Sequence, residues 1–180
     1  NLDEYLTTAE KVGSAGRLAE AIDILREAGE RYPDSAIAQF NLGTALLLAV
    51  KEDKAHNELW ESLSDEEDLL QQAIVAFQNA IDRDPHLLPA YNNLARALAL
   101  HGRTDDALLV WERSLQLNPD QPDARSDYEM LRTQLSASPD QTDARSILLQ
   151  DTGLDASPVT NQDIETQSDV QDTGSGPEQR

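Results

Sequence analysis

LPAYNNLARALALHGRTDDALLVWERSLQLNPDQ, residues 88–121, carries a pattern that has already occurred upstream. Within it Ala107, Trp111, Ser114 and Pro119 follow one another at steps of 4, 3 and 5 residues. Ala73, Phe77, Ala80 and Pro85 stand 34 residues earlier in the same register. A period of this length, built on small, aromatic, small and proline, marks a helical hairpin that stacks on its own copies. One hairpin has too narrow an apolar face to fold alone, so neighbours must bury a shared core. The small residues predict close helix approach, and Phe77 and Trp111 the filling of the space between hairpins. Gly16 and Gly102 are placed to end first helices. Pro33, Pro85 and Pro119 are placed to end second helices, because the residue before proline avoids the helical region.

With Tyr91, Leu94, Ala95, Leu98 and Gly102 added, this stretch resembles the tetratricopeptide repeat. The family more often has glycine where Ala95 stands and alanine where Ser114 stands, and both departures keep the residue small. A first unit matches through Tyr5, Gly16, Ala21, Leu25, Ala28 and Pro33, with Thr8 where leucine is usual. A second is split, its first helix matching through Leu42, Gly43 and Leu46 and its second through Ala73, Phe77, Ala80 and Pro85. Pro33 and Pro85 are 52 residues apart, 18 more than the period, which puts an insertion near 50–68. The resemblance covers roughly residues 2–121. It implies an all-α, right-handed α–α superhelix of three hairpins plus a C-terminal capping helix, followed by a disordered acidic tail. The expected repeat domain is 2–135, with units of about 2–35, 36–87 and 88–121 and a capping helix at 122–135. The tail is 136–180.

Local signals refine the helices. The first pair is expected over Leu2–Val12 and Leu18–Arg31. Asp34 and Ser35 are good N-caps for the next helix. Ser64-Asp65-Glu66-Glu67 reads as a capping box that starts a helix near Asp65. Asp120 can cap the closing helix and Pro122 suits its first turn. Ala124, Tyr128, Leu131 and Leu135 then recur at helical spacing, while Arg125, Asp127, Glu129 and Arg132 form an expected polar outer face. Beyond Ser136 the composition is too polar to offset ordering entropy, hence the disordered tail. PDQPDARS at 119–126 returns as PDQTDARS at 139–146, followed by Ile147, Leu148 and Leu149. This reads either as a duplication leaving a short helix at about 142–150, able to dock on the chain itself or on a partner, or as low-complexity drift.

Composition narrows the function. The net charge is −20 and lysine is confined to Lys11, Lys51 and Lys54, so no nucleic acid partner is expected. The acidic surface fits either a salty habitat or a protein kept apart by self-repulsion. There is no cysteine, which removes disulfides, thiolate metal sites and cysteine nucleophiles. No stretch approaches the 18 apolar residues of a membrane span. The chain starts at Asn1, which is read as a processing site or an artificial boundary. A soluble protein follows, cytoplasmic or exported after removal of a leading segment.

In the resembled family the first helices of successive hairpins line a concave groove. Transferring that geometry gives Leu6, Thr7 and Glu10 from the first unit. The second supplies Ile37, Phe40, Asn41, Thr44, Leu47 and Leu48, and the third Asn92, Asn93, Arg96 and Ala99. Asn41 and Asn93 occupy equivalent turns. Asparagine there can hold an extended peptide backbone, since it both donates and accepts, or it can be solvated or bonded within the array. The lysine and arginine cluster that grips chaperone C-terminal tails is missing, Arg96 being the only base nearby. Phe40, Leu47 and Leu48 point to a partner with apolar side chains, or to burial under the insertion or against the first unit. Trp60 in the insertion is either a second binding surface or an anchor for its own loop. His56, His86 and His101 lack metal-ligand spacing, and no phosphate loop, calcium loop or nucleophile elbow occurs. The expected function is a non-enzymatic protein–protein interaction module without cofactor. It would be a scaffold or assembly factor holding a partner segment in the groove. The alternative is a structural protein that forms homo-oligomers through its array and insertion.

Overall fold

A computed structural model describes residues 1–53 and 66–137. These residues form seven helices and no strand. They are α1 (Leu2–Ser14), α2 (Leu18–Arg31), α3 (Ala36–Asp53), α4 (Glu66–Arg83), α5 (Leu88–Leu100), α6 (Thr104–Leu117) and α7 (Pro122–Ala137). Extensive packing is confined to helices consecutive in the chain. The odd-numbered helices α1, α3 and α5 touch one another only narrowly. The result is an array of hairpins α1–α2, α3–α4 and α5–α6 closed by α7, an α-helical solenoid.

The hairpin turns follow from backbone chemistry. Gly16 and Gly102 have φ of 80° and 85°, a region closed to most side chains. Each ends its helix in the same double bond. Arg17 N donates to Val12 O at 3.1 Å and Gly16 N to Gly13 O at 2.9 Å. Arg103 N and Gly102 N repeat this on Leu98 O and Ala99 O at 2.8 and 3.1 Å. Ser35 caps α3, its Oγ accepting from Ala38 N at 3.2 Å. Pro122 opens α7 as expected, but Asp120 is not its cap. Gln121 precedes the helix, its carbonyl accepting from Arg125 N at 3.0 Å. Asp120 N instead donates to Asn118 Oδ1, which tightens the turn. Helix α4 starts at Glu66, one residue from the expected start. Ser64, the insertion's Trp60 and the tail beyond Ala137 lie outside the described residues.

The core is the seam that the period implies. Phe77 and Trp111 are fully buried, as are Ala73, Ala80, Ala107 and Ser114. Gly43 shows why the position must be small: a Cβ there would lie 2.7–3.0 Å from three atoms of the Phe77 ring. Tyr91 ties one hairpin to the previous one, its hydroxyl donating to Pro85 O at 3.0 Å. Arg26 bridges α2 to α4 by donating to Gln72 Oε1 at 2.9 Å. No helix among the described residues is long and apolar enough to cross a membrane.

Candidate partner-binding face

Gly43 and Ala95 sit at equivalent places in α3 and α5. Asn41 and Asn93 each precede them by two residues, a step of about 200° around a helix. The seam side of α3, where Gly43 meets Phe77, therefore lies opposite Asn41. Thr44 and Arg96, three residues further along each helix, flank the same inner face.

A row of polar contacts runs along this face from hairpin to hairpin. Thr44 Oγ1 donates to Phe40 O at 3.0 Å and accepts from Asn93 Nδ2 at 3.4 Å, joining α3 to α5. Arg96 on α5 reaches Asp127 on α7, with Nε and Nη2 at 2.8 and 2.5 Å from Oδ2. The row has a register. Asn93 and Asp127 are 34 residues apart, so each bonds the residue three positions beyond its own counterpart in the preceding unit. Asn41 donates to Ile37 O within its own helix at 3.0 Å. The Arg96–Asp127 pair is nearly sealed, with side-chain exposures of 10% and 4%. An ion pair so desolvated is costly to break from one side only.

The expected groove residues divide into three groups. Asn41, Thr44, Asn93 and Arg96 come together on the inner face, each with a relative exposure of 8% or less. Phe40 and Leu47 belong to the core, at 1% and 0%. The Phe40 ring lies against Phe77 at 6.0 Å between centroids, so it packs its own hairpin. Asn92 is half-buried and committed to its own array. Its Nδ2 donates to Gln121 Oε1 at 3.0 Å and its Oδ1 accepts from Ser114 Oγ at 2.8 Å. Among the rest, Leu6, Ile37 and Ala99 are buried, Leu48 is half-buried, and Thr7 and Glu10 are exposed.

Asp127 overturns the expected outer face of α7. It points inward and is 3% exposed, whereas Arg125, Glu129 and Arg132 are exposed. Sequence reasoning missed it, although the 34-residue step from Asn93 lands on it. It also missed Gln121, whose Nε2 donates to Ser114 O at 2.9 Å and to Asn118 O at 2.8 Å. That hub pins the entry of α7 to the end of α6. Among the described residues no cluster of histidine, cysteine or carboxylate side chains could hold a metal ion. The face carries amide, hydroxyl and guanidinium groups on the same helices as Leu48, Ala99 and Leu100.

Comparison with known families supports the same architecture. Models described as tetratricopeptide repeat match residues 12–59 and 66–135, together more than half of the chain. The chain belongs to the tetratricopeptide repeat family. Such repeats are protein–protein interaction modules. This repeat array is also similar to the structure titled "Crystal structure of MamA", with a TM-score of 0.61 and 21% sequence identity. The match covers 83% of this chain and 77% of that one, and at this identity it speaks for the fold alone. No curated protein matches the chain.

Proposed function

We propose that this tetratricopeptide repeat chain is a non-enzymatic scaffold or assembly factor that recognises a segment of another protein on the inner face of α3, α5 and α7. The observation that carries this reading is the register of the polar row. Thr44–Asn93 and Arg96–Asp127 repeat one contact from unit to unit, which sets amide and charged groups at regular spacing beside apolar side chains. Extended or helical peptides bring backbone donors and acceptors at regular intervals together with apolar side chains, and asparagine can answer either kind of polar group. Arg96 is held by Asp127, so the face does not present a free basic clamp to an acidic chaperone tail. Phe40, Leu47 and Asn92 support the face from behind and make no part of the recognition surface.

The test uses the native complex. The chain is affinity-purified with its partner, and the partner segment is mapped by cross-linking. The expected cross-links run to α3, α5 and α7, and Asn41→Ala with Asn93→Ala weakens binding while leaving the helical content unchanged. A partner that binds this double variant with unaltered affinity, or that maps to α4 and α6, overturns the proposal.

A further inference from the structure

Among the described residues two large apolar side chains are exposed, Val75 at 44% and Leu109 at 64%. A single surface leucine needs no explanation. These two, however, stand 34 residues apart, at the same place in the second helices α4 and α6. Each follows a buried seam alanine, Ala73 or Ala107, by two residues, a step of about 200° that turns it away from the core. Leu108 widens the strip on α6. It is half-buried, whereas its counterparts Ile22 and Ile74 in the earlier hairpins are 0% and 1% exposed. On α2 the place of Val75 is taken by Asp23, so the strip belongs to the second and third hairpins.

Carboxylates border the strip. Asp105 and Glu112 stand one turn before and one turn after Leu109, and Asp82 two turns after Val75. All three are exposed, and none has an ion-pair partner among the described residues. Positive charge is sparse on the same helices. The only base of α4 is Arg83 at its end, and its guanidinium is engaged by the carbonyls of Pro33 and Asn79. The only base of α6 is Arg113.

We propose that this outward strip is a second docking surface, separate from the inner face, for a basic segment of a partner protein that carries two apolar side chains among lysines or arginines. The apolar pair fixes where the segment sits, and the carboxylates select its sign and hasten the encounter. Charge also decides against the other occupants. A second copy of the chain would bring its own net charge of −20 to a surface that is already acidic, and nucleic acid or an anionic membrane is repelled in the same way.

The test uses the full-length chain and, as probe, a synthetic amphipathic peptide with leucine on one face and lysine on the other. Binding is followed by calorimetry. Val75→Ser with Leu109→Ser changes only exposed positions, which keeps the fold intact, and is expected to weaken binding at least about tenfold. Asp82→Asn with Asp105→Asn is expected to weaken it as well and to lessen its dependence on salt. Asn41→Ala with Asn93→Ala leaves it unchanged. Unaltered affinity in the serine variant overturns the proposal, since the attraction is then diffuse. Equal binding of a peptide with glutamate in place of lysine overturns it too. A loss in the asparagine variant would assign the peptide to the inner face, and a wild-type dimer abolished by the serine variant would assign the strip to a second copy; either result overturns the proposal. The two surfaces fail independently: a native partner that cross-links to α4 and α6 answers to this strip, and one that cross-links to α3, α5 and α7 answers to the inner face.

Discussion

The two sides of the inner helices hold the array by different means. On the seam side, Gly43 and Phe77 meet through shape alone, at separations that leave no room for a methyl group. On the inner side, Thr44–Asn93 and Arg96–Asp127 meet through hydrogen bonds and charge. Apolar packing is proportional to area and weakly directional, so the seam tolerates an exchange of Phe77 for Trp111 between units. A desolvated polar row demands particular partners, because a buried group left without one costs more than the bond was worth. The seam holds the helices together by volume, and the row adds pairing between hairpins at particular positions. The contrast teaches that the repeat conserves volume at one face and pairing at the other.

Replacement of Trp111 tests the seam hardest. Trp111→Ala is expected to cost about 3–5 kcal/mol by urea denaturation. Trp111→Phe is expected to cost much less, because the buried indole Nε1 has no acceptor among the described residues and Phe77 already serves the equivalent place. Equal losses from the two variants would contradict a seam built on volume.

The row is tested next by removing one partner. Asp127→Ala leaves Arg96 buried without its carboxylate and should destabilise by about 3 kcal/mol. Arg96→Met combined with Asp127→Leu should recover most of that loss, as apolar replacements of a buried pair often do. A cycle in which the double variant is no more stable than Asp127→Ala breaks the account of the row. Gly43→Ala comes third, at about 1–3 kcal/mol, because the added methyl must displace the Phe77 ring. Asn93→Ala is smaller, about 1 kcal/mol, for the loss of one neutral hydrogen bond at 3.4 Å. Thermal melts of both variants rank them.

The weakest effect lies at the two ends of the array, where the seam and the row give way to exposed contacts. The Tyr5 hydroxyl donates to Glu27 at 2.6 Å and the Tyr128 hydroxyl to Glu112 at 2.7 Å. The hydrogen bond to the carboxylate, helped by desolvation, raises both phenols above their ordinary 10.0. A group whose value is raised on folding adds stability that is complete below its unfolded value and is lost as pH climbs through the folded one. The melting temperature is therefore expected to dip slightly above pH 10. Tyr5→Phe with Tyr128→Phe should flatten that dip, and a dip unchanged in the double variant would place its origin elsewhere.

Much of the fold was legible because its signals are local. The steps among Ala107, Trp111, Ser114 and Pro119 are chain distances, and helix periodicity turns them into a buried face. Gly16 and Gly102 announced their turns, since only glycine takes their φ without strain. Helix α2 runs over the expected span. The face of Phe40 was not legible, because α3 is apolar around most of its circumference and periodicity then names no single inward side. Asp127 was misplaced for a related reason: a charged residue on a terminal helix reads as solvent-facing unless its partner is known. Arg96 is 31 residues away in sequence, too far for any local pattern to couple them. Trp60 and the tail belong to stretches outside the described residues.

The sequence by itself determined that this chain is a stack of helical hairpins, where each helix turns, and which small and aromatic residues form the seam. Those features depend on spacing along one chain and on the conformations each residue allows. Only the tertiary structure decided which side of α3 takes Phe40, that Asn93 answers Thr44 and that Asp127 answers Arg96. Such pairings arise between units brought together by stacking, and their geometry exists only once the seam has set the distance between helices.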